Sequence, residues 1–292
     1  MNLLGVIKMT DAALILEGGG MRGVYTAGVL DFFLDKKIEF PVCYAVSAGA
    51  CHGSSFLAKQ RKRAFNVNVD YLKDKRYAGI YSLIKTGDFF GVDMVYNLIP
   101  NELSPFDYDE YEKYTGKFFV AVTNCKTGKA EYMQITDMRR DILAVRASSS
   151  LPIISRIVEI EGKEYLDGGI VDSIPIKKSI EDGNIRNVVI LTRDKTYRKP
   201  PSGMRKLIKA KYKKYPMLVR SIEIRHVRYN NTLALIDEER KAGRAYVIQP
   251  EKPVTIGRLE KNKEKLTALY NQGYSDGRKH YKALTEFLNA QN

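Results

Sequence analysis

The sequence predicts an α/β fold built on a mainly parallel sheet. Ala12-Ala13-Leu14-Ile15-Leu16 is a short, wholly apolar run that enters a glycine loop and then a helical pattern. Val42-Cys43-Tyr44-Ala45-Val46 repeats that order, with a turn at Ser47 and a helix-compatible stretch over residues 48–59. Two more buried runs, residues 117–123 and 187–192, come later. Short continuous apolar runs suit strands covered on both faces. A right-handed crossover makes the first two strands parallel and near neighbours.

The chain has 292 residues, 44% of them hydrophobic and 28% charged, enough for one large domain with an extension. No run approaches the ~20 apolar residues of a spanning helix. Residues 1–11 are too short and too polar for a secretory signal. Cys43, Cys51 and Cys125 leave an odd thiol without metal spacing, and His52, His226 and His280 are scattered. These features predict a cytoplasmic protein that needs no metal or other cofactor. The net charge of +14 is uneven. Residues 1–150 carry 19 basic against 17 acidic side chains, and residues 151–292 carry 29 against 17. An anionic partner or a solvated basic face accounts for that asymmetry.

After the first strand, Glu17-Gly18-Gly19-Gly20-Met21-Arg22-Gly23 opens a helix over residues 23–34. The loop satisfies the dinucleotide fingerprint G-x-G-x-x-G. That reading needs an acidic residue at the end of the second strand. Glu39 falls at a suitable distance, but Phe40-Pro41 follows it and no strand precedes it. The other reading is an oxyanion hole. Consecutive glycines expose backbone N–H groups at a helix N-terminus, with Arg22 fixing the loop or the ligand. Ser47 lies between Ala45 and Gly49, as in a nucleophile elbow, where small residues at −2 and +2 let strand and helix cross closely. A plain serine in a tight turn is the alternative. Both loops emerge on the carboxyl edge of one sheet, where acyl transfer needs a nucleophile and an anion cradle.

From residue 59 to 105 the chain reads as polar and irregular. Its apolar patch around Phe89, Met94 and Ile99 reads as core, with an acyl channel as the alternative. Residues 117–123 and 131–135 form strands, and residues 139–148 a helix ending in Ala147-Ser148-Ser149-Ser150-Leu151-Pro152. Residues 156–160 and 163–166 make a hairpin that delivers Asp167-Gly168-Gly169. Alone, that tripeptide is an ordinary Asp-Gly turn. Residues 195–222 interleave ten basic side chains with apolar ones such as Leu207, Ile208, Leu218 and Ile222, without an acid among residues 195–222. Such a segment suits a helix on an anionic membrane surface. No nucleic-acid reading module is present. A strand at residues 246–248 and helices over 259–270 and 274–288 close the chain.

Three signals therefore stand in one order: Gly18-Gly19-Gly20-Met21-Arg22-Gly23, Ala45-Val46-Ser47-Ala48-Gly49 and Asp167-Gly168-Gly169. Together they resemble the patatin-like phospholipase family over residues 12–194, and the Ala147–Pro152 stretch resembles that family's A-S-x-x-x-P. The one departure is Ala45 for the usual glycine. The resemblance implies a three-layer α/β/α fold and a lipid ester substrate. It implies a Ser–Asp dyad of Ser47 and Asp167, with Gly18, Gly19 and Gly20 as oxyanion donors and Arg22, Gly23, Ala45, Gly49, Gly168 and Gly169 in support. No histidine has a loop setting after a strand, which also favours a dyad over a triad. The expected organisation is an acyl hydrolase domain over 12–194 and a basic, mostly helical extension over 195–292 packing on it. The competing reading is a non-catalytic lipid-binding or nucleotide-binding α/β protein.

Overall fold

The side chains of β1 (Ala13–Leu16) and β2 (Val42–Val46) alternate between two cores. Leu14, Leu16, Cys43 and Ala45 enter one; Ala13, Ile15, Val42 and Tyr44 enter the other. A sheet with two apolar faces must be covered on both. The computed structural model describes residues 11–290, and the reading of the first ten as no signal lies outside them.

The remaining strands are β3 (Lys117–Asn124), β4 (Ala130–Gln134), β5 (Val158–Ile160), β6 (Lys163–Asp167), β7 (Asn187–Ile190) and β8 (Ala245–Ile248). Their order is β5-β6-β3-β2-β1-β7-β8, with β4 also paired to β3. β3, β2, β1, β7 and β8 run parallel, while β4 and β6 lie antiparallel to β3. The sheet is mixed and mainly parallel, as expected.

The helices are α1 (Val24–Asp35), α2 (Ala48–Leu57), α3 (Arg63–Val69), α4 (Ile80–Thr86), α5 (Tyr108–Glu112), α6 (Met138–Ser148), α7 (Ile176–Glu181), α8 (Arg205–Lys211), α9 (Pro216–Glu223), α10 (Arg225–Lys241) and α11 (Lys263–Asn289). Apolar residues of α1, α2, α6 and α11 share the first core, and those of α7 and α10 the second. The result is a three-layer α/β/α sandwich. Among the described residues no helix is long and apolar enough to cross a membrane.

Three stretches differ from their sequence reading. Residues 59–105 hold α3, α4 and a π-helical segment, Met94–Leu103, that accommodates Pro100. Phe89, Met94 and Ile99 there form a core cluster of their own. Residues 195–222 form two short helices instead of one amphipathic helix. Ile208, Tyr212, Leu218 and Ile222 pack inward against Leu166 and Ile170, while Met204, Leu207 and Met217 stay exposed. The two closing helices are one helix, α11. Gly273 and Gly277 do not break it, because they face α1. A Cβ on Gly273 would lie 2.1 Å from the Tyr25 carbonyl oxygen, and one on Gly277 3.1 Å from Phe32. The glycines set a close helix–helix approach that a local reading mistakes for a turn.

Candidate active site

Leu16 pairs with Ala45, so the chain leaves β1 and β2 at the same sheet edge. Glu17-Gly18-Gly19 follows β1 and continues into a 3-10 turn, Gly20–Gly23, that joins α1. Ser47 follows β2 directly at φ 56° and ψ −126°. A non-glycine residue there carries strain of about 1–3 kcal/mol. The turn is held by Ser148, whose Oγ accepts from the Ser47 N–H (2.8 Å) and donates to the Ala121 carbonyl (2.6 Å). On the helix side, a Cβ at Gly49 would stand 2.7 Å from the Leu16 carbonyl oxygen, so only glycine fits at +2. Ala45 is fully buried in register between Leu16 and Val120, and its methyl group is accommodated within the sheet.

Asp167 ends β6 opposite Val122 of β3. Its Oδ2 accepts from Ser47 Oγ at 2.7 Å, and its Oδ1 accepts from the Gly169 N–H at 2.8 Å. The Asp167 N–H donates to the Ser150 carbonyl, and its carbonyl accepts from Thr123 Oγ1. One carboxylate oxygen is thus fixed by backbone while the other faces the hydroxyl. A Cβ on Gly168 would meet the Ala121 carbonyl oxygen at 2.1 Å. Both side chains are buried, Ser47 at 6% and Asp167 at 2% exposure. Burial raises the Asp167 pKa above the ordinary carboxylate range, opposed by Arg225, the Ser47 hydroxyl, Arg258 and the Gly169 N–H.

A small pocket of about 10 Å³ joins Ser47 and Asp167 to Gly18, Gly19 and Gly20. The three glycines are not equivalent. The Gly18 N–H already donates to the Ser173 carbonyl at 3.2 Å. Among the described residues, the N–H groups of Gly19 and Gly20 have no backbone acceptor outside the helices and strands. Gly20 holds φ +56°, where its missing Cβ also makes room for the Arg258 carbonyl, which accepts from the Met21 N–H. Arg22 is 4% exposed, and its Nε has no hydrogen-bond partner, so it does not tie the loop through that atom. Glu17 fixes the loop from its other end by accepting from Tyr229 Oη (2.7 Å), Thr192 Oγ1 (3.0 Å) and the Thr192 N–H.

No histidine joins the pair. His52 is 2% exposed under α1, where a Cβ on Gly23 would press on its ring, and burial lowers its pKa to about 4. His226 bonds the Glu223 carbonyl, and His280 the Tyr246 hydroxyl. The dinucleotide reading also fails on geometry. The tip of β2 carries Ser47 where that fold needs a ribose-binding carboxylate. Sequence reading missed Ser173, Arg225 and Arg258, all of which line the pocket of Ser47 and Asp167. The only local signal of the two arginines was a basic composition shared with many solvated residues, and Ser173 had none. Ser148 falls within the Ala147–Pro152 stretch, whose sequence alone shows no role for it.

Comparison with known proteins identifies the family. The patatin-like phospholipase family matches residues 14–179, and a domain of unknown function, DUF6363, matches residues 215–289. The uncharacterized protein YjjU of Escherichia coli strain K12 is 32% identical over 184 residues, covering 62% of this chain and 51% of that protein. The probable lipid hydrolase 463L of Invertebrate iridescent virus 6 is 25% identical over 194 residues, covering 60% and 65%. Lysophospholipase nte1 of Aspergillus niger is 27% identical over 175 residues, covering 57% and 11%. The chain therefore spans about half of the bacterial relative and about a tenth of the fungal one. With a family match over more than half of its residues, the chain belongs to the patatin-like phospholipase family.

Proposed function

We propose that the chain is a serine acyl hydrolase that cleaves carboxylic esters of lipids through an acyl-enzyme. The observation that carries this reading is the 2.7 Å hydrogen bond from Ser47 Oγ to Asp167 Oδ2, in a pocket shared with the glycine loop. The family match and the lipid-hydrolase and lysophospholipase relatives support the substrate class.

Ser47 Oγ attacks the ester carbonyl carbon as its proton passes to Asp167. The carbonyl oxygen becomes an oxyanion facing the N–H groups of Gly19 and Gly20, each strong donor contributing about 3–4 kcal/mol. Collapse breaks the C–O bond. The leaving alkoxide takes the proton from Asp167. Water then gives a proton to Asp167 and attacks the acyl-enzyme; collapse returns that proton to Ser47 and frees the fatty acid. The raised basicity of Asp167 suits this shuttling, since a carboxylate of ordinary pKa, ~3.9, is a poor acceptor at neutral pH.

A fluorophosphonate probe tests the nucleophile. The peptide containing Ser47 is expected to carry the phosphonyl adduct, and Asp167→Asn is expected to slow its appearance. An intact protein that stays unlabelled, or labels only at another serine, refutes the reading.

A further inference from the structure

Beside the dyad pocket lies a chamber of about 470 Å³. Leu151, Ile208 and Ile222 line its apolar side, and Lys199, Arg225 and Arg258 its charged side. Leu151, Arg225 and Arg258 also line the pocket of Ser47 and Asp167, so the two spaces share a wall.

That wall is overcharged. Arg22, Arg193, Lys199, Arg225 and Arg258 act on one another, and the carboxylates acting on them are Glu17, Asp167 and, beside Arg193, Asp194. All three carboxylates are already engaged, Glu17 by Thr192 and Tyr229, Asp167 by Ser47 and Gly169, and Asp194 by Thr196. Among the described residues none of the five cations has a carboxylate oxygen within 4 Å. The Nε atoms of Arg22, Arg193 and Arg225 are shielded from solvent without a hydrogen-bond partner. Lys199 Nζ stands 4.1 Å from the centre of the Tyr229 ring. Burial, then Arg225 and Arg258, lower the Lys199 pKa to about 7. Buried like charges are costly unless an anion joins them. An anion is the missing member of this cluster.

We propose that Lys199, Arg225 and Arg258 form a headgroup subsite for an unsubstituted phosphate, so that acyl esters of glycerol phosphate are favoured over choline phospholipids and neutral glycerides. The proposal rests on the acyl-hydrolase reading and deepens it. A phosphomonoester carries nearly two negative charges at neutral pH and three acceptor oxygens. Arginine forks bind such a group bidentately. A choline headgroup would bring a further cation to a wall that already has an excess of them. A neutral glyceride would leave the cluster uncompensated. The acyl chain has the apolar side of the same chamber. None of the three residues lies in the segment matched by the family, so this selectivity comes from the C-terminal part of the chain.

The test compares kcat/KM for oleoyl lysophosphatidic acid, oleoyl lysophosphatidylcholine and monooleoylglycerol. The protein is expected to favour the phosphomonoester by about tenfold or more, the size of a lost charged contact. Arg225→Gln and Arg258→Gln are each expected to shrink that ratio about tenfold through KM, and Arg225→Lys to keep most of it. Equal rates on all three lipids, or a ratio untouched by both glutamine variants, overturns the proposal. Calorimetry on Ser47→Ala protein separates this outcome from failure of the reaction itself, because it needs no turnover. Binding of oleoyl lysophosphatidic acid that exceeds binding of inorganic phosphate, and that falls in Arg225→Gln, supports the subsite even if no ester is cleaved. Binding of inorganic phosphate alone, or of neither, overturns it.

Discussion

Ser47→Ala is expected to lower ester hydrolysis by about a thousandfold to a millionfold while the fold persists, as when a serine nucleophile is removed elsewhere. Asp167→Asn should fall in the same range, because no second base stands ready. His52 is sealed under α1, and His226 and His280 are bonded to other partners. An amide accepts the hydroxyl hydrogen bond but cannot take up the proton. Burial of Asp167 adds a sign that can be checked. Its pKa is raised in the folded protein, so stability from this group is fullest below the ordinary carboxylate pKa and is lost as pH rises through the raised value. The buried carboxylate therefore destabilises the fold at neutral pH. Asp167→Asn is expected to raise unfolding stability there by about 1 kcal/mol while abolishing turnover. Hydrolysis of a chromogenic ester and chemical denaturation at pH 7 measure the two effects. Wild-type turnover in either variant would sink the dyad. The acid limb of kcat/KM is likewise expected above the range of an exposed carboxylate.

Gly273→Ala is expected to destabilise the protein by about 3 kcal/mol, at the upper end for overpacking. The added methyl would meet the Tyr25 carbonyl oxygen at 2.1 Å, and the reciprocal Gly28 would place one 2.1 Å from the Tyr270 carbonyl oxygen. Backbone on both sides leaves no flexible side chain to yield. Relief requires α1 and α11 to separate, loosening the edge contact of Phe32 with Tyr274. Thermal unfolding followed by circular dichroism reads the loss. A variant as stable as the parent would mean that the helices tolerate a wider spacing.

What the sequence revealed was whatever its chemistry needs locally. The glycine loop, the turn at Ser47 and the hairpin before Asp167 each betray themselves within a few residues, because strand, turn and helix crowd there. Pairing of buried runs with parallel strands followed from the same short-range order. What stayed hidden depends on partners distant along the chain. Gly273 reads as a breaker until α1 is placed against it. Ile208 and Leu218 read as a surface face until Leu166 and Ile170 cover them. Gly18 reads like Gly19 and Gly20 until Ser173 takes its N–H. Arg225 and Arg258 were two basic residues among many until the fold set them at the wall of the dyad pocket.

The glycine loop is held from behind by late parts of the chain. Tyr229 grips Glu17, the Arg258 carbonyl holds Met21, and α11 clamps the helix that the loop opens. During synthesis Ser47 and Asp167 therefore emerge before the residues that brace the glycine loop. The glycine loop acquires its braced shape only once α11 has docked on α1.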